Sequence, residues 1–483
     1  MEHNQGLIQS YRQRGSTLVI IGFGLALLMG AAGLAIDLAA LYVVRSEAQR
    51  AADAAALAGA RAIVDSGYPS GLVSQGTAAL LAAQQAASVG NQNLVGGINP
   101  GINAAGFANG CPPAAGADGC FDFSNPQDPR ITVVVQRTVA RGNAVPTFFM
   151  RIFGVQQVNV SASATAEAYL GAAGGPGIAS TCLKPWLMPN CDPDPSHAVA
   201  PGDPRGNPNC GTTPNGKVYA YYTIPGSNTL VYPGLAPGGV VGQEFAVKPG
   251  SPSQALAPGK FAPVFMPPGA NPAICPDCAK NNNAGGGLPS ASLYAMNIEC
   301  CNTSPVACGS QTVTPITGDM VGPTGSAVDC LVTGSSQNNA AAPNSKLQDT
   351  ISFSSSYPFF LVTPGTASPY YGQSSIPVSE SRSFVTVPIY DGSALCPGMS
   401  GSNCGSATVN VEGFAQLFVE WEGSGTCGGQ PVNQNSVCVR LINIVLCGAG
   451  GGSPGAGSSG SSASSSVSGG VYTIPVRLIH SGN

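Results

Sequence analysis

"TLVIIGFGLALLMGAAGLAIDLAALYVVRSEAQRAADAAALAGARAI", residues 17–63, decides how this chain is organised. Residues 17–36 carry no charge and leave no polar face. A helix of that length rises ~30 Å, the hydrocarbon thickness of a bilayer. Arg12 and Arg14 precede the run and Asp37 closes it. The apolar stretch outlasts the ~7–15-residue core of a cleaved signal peptide, and helix-forming residues continue past it. The expectation is a retained transmembrane helix at 16–36 behind a cytoplasmic tail at 1–15. Gly22, Ala26 and Gly30 recur four apart, a spacing that lets a second helix approach closely. Glycine and alanine are also ordinary residues of membrane spans, so the spacing alone does not decide.

Past Asp37 the pattern becomes alanine-rich. Ala48, Ala51, Ala52, Ala55, Ala58, Gly59 and Ala62 form a narrow, shallow face at i, i+3, i+4 spacing. Such a face suits close packing, either on the chain's own domain or on a partner helix in a helix-mediated oligomer. Arg45, Gln49, Asp53 and Arg61 are interleaved with it.

Composition sets the rest. Only 9% of the 483 residues are charged, against ~25% in ordinary soluble domains. Gly (65) and Pro (41) favour turns, short strands and long loops. The net charge of −4 and scattered Lys and Arg offer no basic face, so nucleic acid is not an expected partner. The sixteen cysteines are Cys111, Cys120, Cys182, Cys191, Cys210, Cys275, Cys278, Cys300, Cys301, Cys308, Cys330, Cys396, Cys404, Cys427, Cys438 and Cys447. An even number in a loop-rich chain reads as disulfides made in an oxidising compartment, with pairing open. Arg12 and Arg14 before the span are balanced by Arg45 and Arg50 after it. Orientation therefore rests on the cysteines, which put the C-terminal bulk outside the cytoplasm.

The fold class expected is α+β: an N-terminal transmembrane helix extending into an α+β domain, then a β-rich, disulfide-braced, loop-heavy region. The boundaries are 37–171 for the α+β region, 172–181 for a linker, 182–447 for the Cys-rich β region, 448–470 for a Gly/Ser tether and 471–483 for a C-terminal strand. In the first region, a second helix is expected at 70–89, a strand at 131–140, a helix from Pro146 burying Phe148, Phe149, Ile152 and Phe153, and a strand at 158–169. Cys111 and Cys120 flank a Pro/Gly turn and suit a short closed loop, worth ~2–3 kcal/mol if bonded. Further strands are expected at 217–224, 351–362, 383–391, 408–422, 439–447 and 471–480.

Residues 12–63 and, less closely, 131–171 resemble the N-terminal region of TadG-like and TadE-like proteins of the Flp (tight adherence) pilus machinery. The shared features are Arg-Gly before the span, Gly33 and Asp37 at its end, Tyr42, Arg45, and Gln49 followed by "AADAAALAGA". "CLKPWLMPN" from Cys182 is similar too. The resemblance implies an inner-membrane protein exposed to the envelope, with other Tad pilus-assembly proteins as partners. Pseudopilins of that system carry Glu five residues after a cleavage-site Gly; after Gly15 that residue is Ile20, so cleavage is not expected. Some relatives carry a von Willebrand A-type domain with an Asp-x-Ser-x-Ser motif. The strings at Asp122 and Asp391 lack its second Ser, so that domain is not expected.

Chemistry is sparse. "CPDC" at 275–278 with Cys300, Cys301 and Cys308 has half of a zinc pattern but no matching second pair. Asp192, Asp194 and Asp203 lie in a proline-broken loop that fits no calcium-binding spacing. His3, His197 and His480 are the three histidines, and no nucleophile-elbow or Walker A string accompanies them. No catalytic residue, cofactor or metal is expected. The function expected is a non-enzymatic, membrane-anchored pilus-assembly or adhesion component. The rivals are a secreted or envelope metal-binding protein or hydrolase, and a pseudopilin-like filament subunit.

Overall fold

The computed structural model describes residues 5–68, 73–124, 129–168, 179–180, 182–227, 229–265, 290–302, 306–316, 320–335, 340–353, 359–398, 405–447 and 476–479, with side chains of the first helix from Leu18 onward. Cys275, Cys278, Cys404 and the Gly/Ser tether lie outside the described residues.

One helix, α1 (Gln5–Asp65), carries the apolar run and the alanine stripe without a break. At 1.5 Å per residue it is ~90 Å long. Leu18, Ile21, Leu25 and Leu28 are exposed, whereas Ala48, Ala51, Ala52 and Ala55 are fully buried. Among the described residues it is the one helix long and apolar enough to cross a membrane. α2 (Gln75–Gln92) starts at the N-cap Ser74, whose side chain accepts from the Thr77 N–H, a few residues later than the sequence pattern places it.

The first sheet is built from β1 (Phe107–Asn109), β2 (Gly119–Asp122), β3 (Arg130–Arg137) and, beyond the short pair β4 (Val145–Pro146) and β5 (Gln157–Val158), β6 (Val160–Ala168). β3 alternates: Ile131, Val133 and Val135 face inward onto α1 and α2. Cys111 is bonded to Cys120, closing the turn that leads into β2.

The second region starts with β7 (Ala179–Ser180) and β8 (Trp186–Pro189), followed by β9 (Glu244–Pro249), β10 (Lys260–Phe265), α3 (Ser290–Glu299), β11 (Val306–Ala307), β12 (Gly309–Pro315) and α4 (Val321–Thr333). A separate hairpin, β13 (Thr350–Phe353) and β14 (Phe360–Thr363), precedes β15 (Phe384–Tyr390), β16 (Ala407–Val411), β17 (Gly413–Cys427) and β18 (Gln430–Leu446). The main sheet runs β16-β12-β10-β8-β15-β17-β18-β9, and β9 also pairs with β10, so the sheet closes on itself. The closed ring is β10-β8-β15-β17-β18-β9, and β12 and β16 extend from β10 outside it. Trp186, Phe261, Val385, Leu417 and Leu441 fill its core, with Tyr294 and Val328 from the two helices.

Three strand expectations change. Residues 217–224 form only isolated bridges, because their backbone serves separate loops: Val218 pairs with Val199, and Ala220 with Gly206. Residues 351–362 are not one strand; their ends belong to the two strands of the β13–β14 hairpin. The expected strand at 408–422 breaks at Glu412, and its halves pair with different neighbours, β12 and β15. Two helices, α3 and α4, stand where the sequence pattern predicts only strands and loops.

The last strand, β19 (Val476–Ile479), does not continue the second sheet. It pairs antiparallel with β6, Val476 opposite Ala168, and extends the first sheet from the far end of the chain.

Candidate functional site

The most constructed feature is the point where α1 leaves its apolar run. Asp37 is the first charge after the span, yet it is 2% exposed. Its Oδ1 accepts the Phe148 N–H at 2.9 Å, and Oδ2 accepts those of Phe149 at 2.9 Å and Met150 at 2.6 Å. These donors open a single 3-10 turn, Met150–Phe153, which Gly154 ends at φ 85°. The carboxylate therefore acts as an N-cap supplied by another element, where unpaired N–H groups and a negative charge are complementary. Gly33, one turn earlier, makes room for this loop: a Cβ there would come within 2.7 Å of the Phe149 ring.

This overturns the expectation of a helix from Pro146 with buried aromatic residues. The segment makes one 3-10 turn, and Phe148, Phe149, Ile152 and Phe153 are 72%, 41%, 80% and 69% exposed. Gly154 stops the turn, and the inner face of the sheet is already covered by α1 and α2. The sequence singles out Gly33 and Asp37 but assigns them no task. The available signal is a lone acid closing an apolar run, matched by a Phe-rich segment with no sheet face left to cover.

Beyond Asp37, Ala48, Ala51, Ala52, Ala55, Gly59 and Ala62 are buried and Ala58 is half-buried. They pack on the chain's own α2 and sheet. A Cβ on Gly59 would meet Ile131 Cδ1 at 2.5 Å and Ala86 Cβ at 3.2 Å, and one on Gly90 would meet Ala55 Cβ at 3.1 Å. The polar residues between them fasten the helix. Glu47 accepts the Gly96 N–H at 2.6 Å, and Gln49 donates to the Ser163 carbonyl at 3.2 Å. Buried Arg137 donates to the Val95 and Asn143 carbonyls at 2.7 and 2.8 Å, tying the Gly96 loop to the sheet. Among the described residues nothing packs against Gly22, Ala26 and Gly30: Ala26 is exposed and no atom lies within 4 Å of a Cβ built on either glycine.

The groups weighed for chemistry are engaged elsewhere. Asp192 is buried and accepts from Gln243 at 3.1 Å, while its other oxygen meets His197 Nδ1 at 2.6 Å. The hydrogen bond to Asp192 raises the His197 pKa against the opposing effect of burial, and the Pro237 carbonyl raises it further. With Nδ1 bonded to buried Asp192 and Tyr232 stacked on the ring at 4.1 Å, His197 is packed into the fold rather than free in a cleft. Asp194 caps a short turn through the Ser196 N–H, and Asp203 pairs with Arg205 at 2.7 Å, so the three aspartates do not converge. Lys184 is fully buried, and its Nζ donates to the Ile298 and Cys300 carbonyls at the end of α3. Burial lowers its pKa to about 7, opposed by the nearby Glu299 charge. Burial likewise raises Glu412 and Glu422 to about 7, the former beside Asn190, Glu412 Oε2 accepting at 2.5 Å.

The described cysteines are all oxidised. Cys182 bonds Cys301, Cys191 bonds Cys210, Cys308 bonds Cys447 and Cys427 bonds Cys438; Cys300, Cys330 and Cys396 are disulfide-bonded too. Cys300, Cys301 and Cys308 thus offer no thiolate to a metal. The grouping of Glu244 with Cys427 and Cys438 is likewise no metal site, because those two sulfurs are bonded to each other.

Residues 15–62 match the family described as Flp pilus-assembly TadE/G-like, and residues 39–166 match the family described as Tad-like Flp pilus-assembly. No curated protein and no solved structure matches. The two matched stretches run from the start of the span through the alanine stripe to β6, and take in Gly33, Asp37 and the loop they hold. Over its first third this chain is therefore similar to the TadE/G-like and Tad-like Flp pilus-assembly families.

Proposed function

We propose that the protein is a membrane-anchored, non-enzymatic component of the Flp pilus-assembly or adhesion machinery. In this reading α1 crosses the inner membrane once and the C-terminal bulk lies in the periplasm or at the cell surface. The observation that carries it is the continuity of α1. One helix holds an exposed apolar run and then becomes the buried centre of a folded domain, within a stretch that matches pilus-assembly families. A cleaved leader has no need to be the core of the domain that follows it. Disulfide-bonded cysteines support an oxidising compartment for the second region.

The partners in this reading are other Tad pilus-assembly proteins. The uncovered Gly22, Ala26 and Gly30 side of the span offers a close-approach surface to a partner helix or a second copy. The engaged state of His197, Lys184 and the aspartates supports a structural role over hydrolysis. Deleting the gene tests the reading: loss of pili or of surface attachment is expected, restored by the full-length chain. Normal piliation and attachment in the deletion strain would reject it.

A further inference from the structure

Phe148, Phe149, Ile152, Phe153 and Val155 form an exposed apolar loop that no described residue covers. Its backbone is bound to Asp37, at the end of the apolar run, and its Phe149 ring lies on Gly33, inside that run. The loop is thus fixed beside the last turn of the span, where Leu34 and Ile36 are themselves exposed. Tyr42, one turn beyond Asp37, is 76% exposed, and exposed Arg45 and Arg151 lie at the same end. Aromatic residues flanked by arginine above an apolar belt are the composition of a membrane–water interface.

We propose that residues 147–155 are a second membrane contact, a loop whose Phe148, Ile152 and Phe153 side chains enter the outer leaflet of the bilayer beside α1. This rests on the reading of α1 as a membrane span and adds to it. The occupant is lipid because the loop is continuous with the lipid-facing surface of the helix. A water-exposed loop would leave four large apolar side chains unburied together at a site that the Asp37 clamp holds rigid. With two contacts the domain is held at one height and tilt on the membrane, instead of pivoting on a single helix.

The test uses the full chain reconstituted in phosphatidylethanolamine/phosphatidylglycerol vesicles. F153W places a reporter on the loop and L28W places one inside the span. Trp186 and Trp421 are buried in the second region and give a constant background. Because Phe153 and Leu28 are exposed, neither variant disturbs packing. Brominated phospholipids are expected to remove most of the added emission of both F153W and L28W, and aqueous acrylamide to leave F153W nearly unchanged. If L28W is quenched by bromolipid while F153W responds only to acrylamide, the loop is in water and the proposal fails with the anchor intact. If F153W is shielded from both quenchers, protein rather than lipid covers the loop, and the proposal fails again. If L28W itself escapes bromolipid, the anchoring reading falls and takes the loop with it.

Discussion

The two folded regions of this chain solve the problem of a core in opposite ways. The first is organised around a helix that continues from an exposed apolar run, and it packs alanine and glycine against alanine, with Ile131, Val133, Val135 and Phe121 supplied by the sheet. The second encloses Trp186, Phe261, Tyr294 and Leu417 within a sheet that closes on itself, and long-range disulfides bind its ends. Small side chains bury little area each, so the first core depends on closeness of approach and tolerates no added volume. The second depends on bulk and cross-links and tolerates loss of neither. The lesson is that a helix continuing from an apolar run into a core keeps a slim face, and its stability comes from proximity.

The contrast is most open to breakage at the disulfides. Replacing Cys308 and Cys447 by Ser removes a link closing 139 residues of chain. A loss of about 4–5 kcal/mol is expected in the second region. Denaturant melts of detergent-solubilised protein, read by Trp fluorescence, should show it, while far-UV signal from the helical first region holds. A shared loss would mean that the two regions unfold as one.

The opposite perturbation strikes the first region. Gly59→Leu drives side-chain atoms into Ile131 and Ala86, which stand 2.5 and 3.2 Å from where a Cβ would lie. Overpacking of this kind costs about 3 kcal/mol or more, and helix content should melt earlier without a shift in Trp emission. An unchanged melt would mean that α1 and α2 are not closely packed.

Acidity separates the regions next. Glu412 and Glu422, raised to about 7 by burial, hold protons in the folded state that they release on unfolding. Their folded values exceed the ordinary carboxylate value, so stability is greatest below that ordinary value and falls as pH climbs towards 7. His197, also raised, has the same sign over its own range, whereas Lys184, lowered to about 7, makes stability recover above pH 7. The second region should gain stability between about pH 7 and about pH 5, up to roughly 2 kcal/mol from each glutamate, measured by denaturant midpoints, with a minimum near neutrality. Glu412→Gln should flatten part of that slope. The smallest effect expected is at the α2 cap: Ser74→Ala, losing its bond to the Thr77 N–H, should lower first-region stability by about 1 kcal/mol.

Legibility follows the same divide. α1 and the stripe from Ala48 to Ala62 are readable because an uncharged run of about twenty residues leads, with no helix breaker, into small residues at i, i+3, i+4 spacing. β3, β6 and the Cys111–Cys120 loop are readable from local alternation and spacing. α4 is not: Gly322, Pro323 and Gly325 stand in its first turns, and residues of that kind argue for a loop. The halves of the 408–422 run look alike, and only the buried Glu412 carboxylate, seated on Asn190, marks the change of partner. That β19 returns to β6 is a choice between sheets that four residues of alternating pattern cannot express. The Asp37 clamp joins residues more than a hundred apart, outside the reach of any local pattern.

The central claim is that one apolar helix holds a disulfide-bonded body on the far side of the membrane, and labelling of intact spheroplasts with a membrane-impermeant maleimide tests it most directly. The account predicts no labelling at first, then strong labelling after an impermeant reductant is added outside. Labelling that appears only after lysis, and without any reductant, would contradict it.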